Sequence, residues 1–501
     1  MKKLNLNNSI VKTREERLGT IIAWKTGKAS EILKDSEYTC GGCKENGGKK
    51  LCEARGPFTQ GSKCSEEMVA CQYSNVRGAV FIQHSPIGCG SGQVLSNFLF
   101  RNGLAIRDLP VENVRVINTN LYESDMVFGA LKKLEQSIRD AWNRYKPKVI
   151  FVGTSCATAI IGEDIESVTN KLQKEFNIPV IPTYCEGFRS KHWTTGFDAA
   201  YHGILRQIAR KDPKRQEDLV NVIDLWGEDI FTPMLGELGL RVNYVVDLAT
   251  VEDLEQMSEA AASVSFCYTL SSYLSAALEQ EFGVIDVKSP QPYGIHATDA
   301  WIREIGRVTN REEKAEAYIA KEHNRINKRL LELRKLLKGK VGYVATGSSY
   351  AHGVIAVLRD LGVQIDGSLT FHHEPIFDGK DADKKDSLKF LVENYGDVSQ
   401  FSVSNGQQYQ FYGLLKNINP DFIIIRHNGL APLASRMGIP AAPLGDGHHA
   451  IGYQGILNLG ETILEILARK KFHTDLKENV ELPYTDWWLE QQDPYILANK
   501  N

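Results

Sequence analysis

At 501 residues and a formal net charge of -3, the chain is too long for one hydrophobic core and should divide into roughly three domains; the lack of a long basic run argues against a nucleic-acid ligand. No apolar signal core follows Met1-Lys2-Lys3-Leu4-Asn5 and no stretch of about 18 apolar residues occurs, so a soluble, cytoplasmic protein with no membrane partner is expected. Nine cysteines, an odd number, favour metal ligation or free thiols over a disulfide framework.

Residues 1–60 read as an amino-terminal extension. A helix-like stretch from Arg14 to Leu33 precedes a Gly/Lys-rich segment carrying Cys40-Gly41-Gly42-Cys43 and Cys52. Closely spaced thiolates there suit zinc or a small iron–sulfur cluster, and a flexible arm with incidental cysteines is the alternative. The next stretch, Cys64 to Cys89, organises the rest. After Cys64 and Cys71 comes the apolar run Ala79-Val80-Phe81-Ile82-Gln83, then His84-Ser85-Pro86-Ile87-Gly88-Cys89. A β-branched and aromatic run ending in Pro and Gly is a buried strand entering a tight turn, which places Cys89 at the strand's carboxyl end, where open α/β sheets bind ligands. Val149-Ile150-Phe151-Val152 followed by Gly153-Thr154-Ser155-Cys156 repeats the arrangement. Three thiols so placed form a candidate thiolate nest for an iron–sulfur cluster; a single buried Cys would be an ordinary small hydrophobe.

Strands then alternate with amphipathic helices. Expected elements are strand Val114–Val116, helix Asp125–Tyr145, helix Ala159–Phe176 and strand Val180–Pro182, then strand Val220–Leu225, helix Val251–Ala260, strand Ser263–Phe266 and helix Leu270–Phe282. Asp299 to Lys338, rich in Glu, Lys and Arg, reads as an exposed helix linking domains. A last block opens at Val341-Gly342-Tyr343-Val344-Ala345 and runs through strand Phe422–Ile425 to helix Gly452–Ala468. The alternation implies an α/β chain of three Rossmann-like, parallel-sheet domains at 61–215, 216–338 and 339–501. None carries a GxGxxG or Walker loop, so nucleotide binding by this chain is not expected.

Cys64, His84-Ser-Pro-Ile-Gly-Cys89, Cys156-Ala-Thr-Ala-Ile-Ile-Gly-Glu-Asp-Ile-Glu-Ser-Val168 and Tyr184-Cys-Glu-Gly-Phe-Arg189 together resemble the α-type subunits of the nitrogenase component 1 superfamily. The resemblance spans about residues 60 to 470. It implies that Cys64, Cys89 and Cys156 give thiolates to an interfacial P-type cluster, [8Fe-7S] or [4Fe-4S], shared with a homologous β-type subunit in an α2β2 heterotetramer. It further implies that Cys267, in Cys267-Tyr268, anchors a large iron–sulfur cofactor, all-iron or molybdenum-containing, in a central cavity between the three domains. Electrons would come from a separate ATP-hydrolysing iron protein.

Departures from the family pattern decide what carries over. The cofactor histidine, five residues after the Pro of Gly438-Ile439-Pro440, is Gly445 here. The substrate-side glutamine and histidine fall on Trp193 and Phe197, the arginine after the second cluster cysteine is Asn97, and a third-domain arginine lands near Ser349. Two pairs, His448-His449 and His372-His373, are the candidate catalytic groups that compensate, since neutral imidazole ligates iron and shuttles protons near pH 7. His84 is expected to make a supporting hydrogen bond beside Cys89. The leading expectation is the α-type subunit of a nitrogenase-like reductase acting on a small molecule, such as a methylthio-alkane reductase. The alternative is a scaffold for assembling the iron–molybdenum cofactor. A true dinitrogen reductase and the tetrapyrrole-reducing branches fit less well.

Overall fold

The computed structural model describes residues 4–34, 64–190, 192–375, 387–404, 408–426, 430–444 and 450–494. Cys40, Cys43, Cys52, Gly445, His448 and His449 lie outside them. The chain separates into two compact units, one of residues 1–17, 63–265 and 270–287, the other of 18–62, 266–269 and 288–501.

The Arg14–Leu33 stretch is not one helix. A helix at Arg14–Leu18 stops at Gly19, whose φ is +65°, and strand β1 (Ala23–Gly27) follows before a second helix, Ala29–Lys34. The run Ile21-Ile22-Ala23-Trp24 contains residues of strand propensity, and pairing with a partner strand outweighs the weak local helix preference.

The first unit holds two parallel sheets. In one, β2 (Ala79–His84), β3 (Val116–Asn118), β4 (Val149–Thr154) and β5 (Val180–Thr183) lie in the order β3-β2-β4-β5. Val80, Ile82, Ile150 and Val152 pack against Leu134, Ile138 and Leu172 of the covering helices. β2, β4 and β5 are buried along their whole length, as the unbroken apolar runs required, while β3 at the edge is half-buried. In the other sheet, β6 (Gln216–Ile223), β7 (Arg241–Val245), β8 (Ala260–Val264) and β9 (Ile285–Asp286) lie in the order β7-β6-β8-β9. Two helices expected as single rods are broken: Glu123–Phe128 and Leu131–Tyr145 part at Gly129 (φ +84°), and Cys156–Ile161 and Ile165–Phe176 part at Gly162 (φ +67°). A left-handed glycine ends a helix by turning the chain out of register.

In the second unit, β10 (Val341–Thr346), β11 (Gln364–Thr370), β12 (Gln400–Ser404), β13 (Phe422–Ile425) and β14 (Ala441–Pro443) join β1 in a six-stranded sheet ordered β1-β12-β11-β10-β13-β14. All pairs are parallel except β1, which lies antiparallel on β12 with Trp24 opposite Val403. From β10 the chain winds first toward β11 and then back to β13, so the sheet's switch point lies at the carboxyl end of β10. The Asp299–Lys338 segment is not an exposed linker. It forms the helices Ile295–Val308 and Glu312–Leu337, the second burying Ala315, Tyr318, Ile319, Ile326, Leu330, Leu333 and Leu337 within this unit. Their i, i+3/i+4 spacing is an apolar stripe hidden among the charges.

Candidate functional site

The first candidate site is built by three strand ends of one sheet. Cys64 stands immediately before the Ser65–Ser74 helix, Cys89 lies in the 3₁₀ turn Ile87–Gly92 after β2, and Cys156 opens the Cys156–Ile161 helix after β4. That last helix is fixed by a capping box in which the Ser155 amide donates to Thr158 Oγ1 (3.0 Å) and the Thr158 amide to Ser155 Oγ (3.4 Å). Gly187, beyond β5, fits between two of the thiols: a Cβ placed there would lie 3.3 Å from Cys64 Sγ and 3.7 Å from Cys156 Sγ. The two sulfurs are therefore no farther apart than those distances combined. Cys64 and Cys89 are exposed and Cys156 is half-buried.

Glu66 belongs to this group, and sequence reading missed it. It is only 3% exposed, and Gln83 Nε2 donates both to its Oε1 (3.2 Å) and to the Cys89 carbonyl (3.0 Å). Burial, against the pull of hydrogen bonds from Gln83 and Cys89, raises the Glu66 carboxyl to about 7, with Glu67 and Glu186 adding to the rise. Burial first, then Glu66, Cys64 and Cys156, pushes the Cys89 thiol up to about 12. Cys64 is raised in the same way, with backbone amides of Glu67 and Glu66 opposing. A set of donors that repel one another as anions is a set whose ionisation a cation would favour. Among the described residues no three His, Cys, Asp or Glu side chains are close enough to hold one metal ion. Wider spacing suits ligands at separate corners of a cluster, so the donor set fits an iron–sulfur group.

Two neighbouring residues have other tasks. His84 does not support Cys89: its Nδ1 pairs with Thr119 Oγ1 (3.0 Å) and its Nε2 with Glu163 Oε2 (2.9 Å). Burial opposes ionisation of Glu163, but bonds from His84 and the Ala130 amide leave its carboxyl below the ordinary value. Asn97 accepts from the Val114 amide (3.0 Å) and ties the helix that follows Cys89 to the next loop. The surface near the thiols is apolar: Val94 is 81%, Phe128 87% and Ile160 76% exposed, with Ile87, Phe98 and Phe188 also uncovered.

The second candidate site centres on Cys267. Residues 266–269 belong with the second unit, where Cys267 Sγ lies 3.9 Å from Ser349 Oγ at the start of the Ser348–Asp360 helix that follows β10. Cys267 is 5% exposed. Thr269 Oγ1 pairs with His372 Nε2 (3.0 Å), and Glu374 Oε1 lies 4.0 Å from the same nitrogen. Gln291 is the hub: with its amide turned to satisfy both ends, it donates to the Phe266 carbonyl (2.8 Å) and accepts from Ser349 Oγ and the Tyr268 amide (both 3.1 Å). Ser349, at the carboxyl end of β10, and His372, at that of β11, thus meet the cysteine segment at the switch point of the sheet. Tyr293 packs edge-on to Tyr350 (5.5 Å between centroids), over which Arg426 sits at 4.9 Å. The Tyr293 hydroxyl is fully buried, has no hydrogen-bond partner among the described residues, and is held far above its ordinary pKa by burial, then by Tyr350 and Cys267. A buried orphan donor beside a thiol fits a bound group carrying acceptors such as sulfides.

His373 is also buried; its backbone bridges to Ile21 (2.8 Å each way). Trp193 and Phe197 lie in the first unit, rings 5.7 Å apart and edge-on, with Tyr201 6.4 Å beyond Phe197. None of Tyr293, Gln291 or Glu66 stands in a motif, so only contacts identify them.

Residues 64–468 match the family described as Nitrogenase component 1 type Oxidoreductase. The chain is 25% identical over 479 residues to the nitrogenase iron-molybdenum cofactor biosynthesis protein NifE of Methanococcus maripaludis, covering 89% of this chain and 90% of that one. It is 26% identical over 458 residues to NifE of Clostridium pasteurianum, covering 87% and 93%. The nitrogenase molybdenum-iron protein alpha chain of Methanosarcina barkeri is 26% identical over 332 residues, covering 62% and 61%. Among solved structures, nitrogenase Cp1 at pH 6.5 has a TM-score of 0.69 at 19% identity, covering 85% of this chain and 91% of that one. No helix among the described residues is long and apolar enough to cross a membrane.

Proposed function

Because this chain belongs to the nitrogenase component 1 type oxidoreductase family, we propose that it is the α-type half of a scaffold on which a complex iron–sulfur cofactor is assembled and from which it is handed on. The observation that carries this reading is coverage. The NifE relatives align over 90% or more of their length, whereas the molybdenum-iron protein alpha chains of Methanosarcina barkeri, Clostridium pasteurianum and Herbaspirillum seropedicae align over 61%, 65% and 80% of theirs. This reverses the preference for a reductase drawn from sequence. A physical argument points the same way: with Gly445 in place of the family's cofactor histidine, Cys267 is the one matched covalent anchor, and a group held at one end is released more easily than one held at two.

In this reading Cys64, Cys89 and Cys156 hold a permanent P-type cluster, [8Fe-7S] or [4Fe-4S], which supplies electron storage and transfer. Cys267 takes the growing cofactor as cargo, whether all-iron or molybdenum-containing. His372 and the Tyr293 hydroxyl orient it by hydrogen bonds, while His373, His448, His449, Trp193 and Phe197 are the remaining candidates for its surroundings. A homologous β-type subunit covers the exposed apolar side chains near the thiols, a patch of the kind that soluble proteins rarely leave open, and an iron protein serves as electron donor.

The test is transfer. The complex, isolated without oxygen, is incubated with a cofactor-free component 1 acceptor, and iron, molybdenum and vanadium are counted on both. Acceptor activation that is lost with Cys267→Ala is the expected result. Steady turnover of a small substrate with iron protein and ATP, without transfer, would restore the reductase reading.

A further inference from the structure

A cavity of about 620 Å³ lies in the second unit, far along the sheet from the Cys267 segment. Asn419 and Ile439, which border it, stand just before β13 and β14, so it opens at the amino-terminal edge of those strands, whereas Cys267 meets the carboxyl ends of β10 and β11. Its other borders come from the Gln408–Ile418, Ala431–Arg436 and Lys470–Asn479 helices and from the segment that enters the Asp486–Glu490 helix. One wall is aromatic. The Tyr412 and Tyr484 rings are 5.6 Å apart and tilted by 45°, backed by the core to which Leu415 and Ile439 belong.

Charges of both signs border the same space. Arg436, Lys477, Glu481 and Asp486 all line it, and among the described residues none of the four is in an ion pair. Lys416, the fifth, is engaged, its Nζ donating to the Leu489 carbonyl (2.7 Å). Gly438, at φ +83°, lets the Lys477 stem cross the chain two residues after Arg436: a Cβ there would lie 2.9 Å from Lys477 Cδ. Arg436 is half-buried, and a guanidinium so placed ordinarily takes a carboxylate in a bidentate pair. Unpaired charges of opposite sign beside an apolar wall are the complement of a ligand that carries both signs and an apolar body. We propose that this cavity binds an amphipathic dipolar ion of the amino-acid type, its carboxylate held by Arg436 and Lys477, its ammonium facing Glu481 and Asp486, and its apolar side chain laid on Tyr412 and Tyr484. A free aromatic amino acid and a short apolar peptide share this chemistry, and the cavity is of ordinary ligand-binding size. The proposal is independent of the scaffold reading, since no cysteine or cluster takes part.

The full chain is titrated calorimetrically with L-tryptophan, with the dipeptide leucyl-tryptophan, and with the N-acetylated and the C-amidated form of each. At least one free form should bind at a single site per chain, and the tighter of the two identifies the source of the ligand. Acetylation and amidation should each weaken binding by about tenfold or more, the effect of losing one charge-assisted contact. Arg436→Gln should weaken the free form likewise and largely remove its advantage over the amide, because the group that reads the carboxylate is gone. Lys477→Gln, on a different helix, should act in the same direction. Arg469→Gln removes an exposed cation outside the cavity and should change nothing. Absence of binding by both free forms would overturn the proposal. So would a blocked form that binds as tightly as its free parent, or affinity that survives both Arg436→Gln and Lys477→Gln.

Discussion

Replacing Gly187 with alanine tests whether the Cys64–Cys156 spacing is built for ligation. Gly187 does not adopt a left-handed backbone conformation, so alanine meets no dihedral penalty. Its methyl would lie 3.0 Å from Cys64 Cβ, 3.3 Å from Cys64 Sγ and 3.7 Å from Cys156 Sγ. Carbon atoms settle at roughly 3.5–4.0 Å, so Cys64 must retreat by about 0.5 Å. Metal–ligand distances tolerate only about 0.2 Å. The fold should survive, because overpacking of this size costs roughly 1–3 kcal/mol and a unit of about 240 residues loses about 2–4 °C in Tm per kcal/mol. Cluster retention should fall far more, by about 10- to 100-fold in resistance to a chelator, as for other substitutions around metal ligands. Gly153→Ala is the control: its methyl would lie 2.8 Å from Phe81 Cζ and 3.7 Å from Cys185 Sγ, so it should lower Tm at least as much and keep its iron. Iron counting after a chelator challenge, paired with differential scanning fluorimetry, reads both quantities. Equal iron retention in the two variants would refute the reasoning.

Three further outcomes follow from the same geometry. Cys267→Ala should abolish the paramagnetic signal of the large cofactor and leave that of the three-cysteine cluster; loss of both would mean that Cys267 is structural. Tyr293→Phe removes a buried hydroxyl that lacks a partner, so the cofactor-free protein should be unchanged or stabilised by about 1 kcal/mol while the loaded protein releases its cofactor faster; a clear loss of cofactor-free stability would show that the hydroxyl is already satisfied. His202, bonded to Tyr273 (2.7 Å) and the Asn8 carbonyl (2.5 Å), is lowered from 6.5 to about 4, chiefly by burial. The unfolded chain then binds the extra proton between about pH 6.5 and 4, so this contribution to stability, at most about 3 kcal/mol, is present above that window and lost as pH falls through it. His202→Gln should flatten the pH dependence of the urea midpoint there, and an unchanged slope would contradict the assignment.

The elements read most accurately were the buried parallel strands. β2, β4 and β13 are continuous apolar runs, and a run buried on both faces is specified by its own composition. Cys89 and Cys156 were legible for a related reason: each closely follows a strand, and a strand end is a local feature, whereas Cys64, which stands before a helix, was legible from motif spacing. Helix length was less legible. Gly129 and Gly162 break helices whose apolar periodicity continues past them, and the charged Glu312–Leu337 helix hid its buried stripe. β1 was read as helix because its identity comes from pairing with β12, nearly four hundred residues later.

The residues alone therefore determined the α/β class, the family and the thiols at the strand ends, since each depends on local pattern or on motif spacing. Tertiary structure decided what surrounds those thiols. Glu66 joins the thiol group only because Gln83 folds across it, and Gly187 matters only because two sulfurs far apart in sequence flank it. Gln291, Ser349 and His372 gather around the cysteine segment because the carboxyl ends of β10 and β11 meet it. Desolvation and hydrogen bonding act between side chains brought together by the fold, and one-dimensional spacing carries no record of which distant groups will share a buried volume.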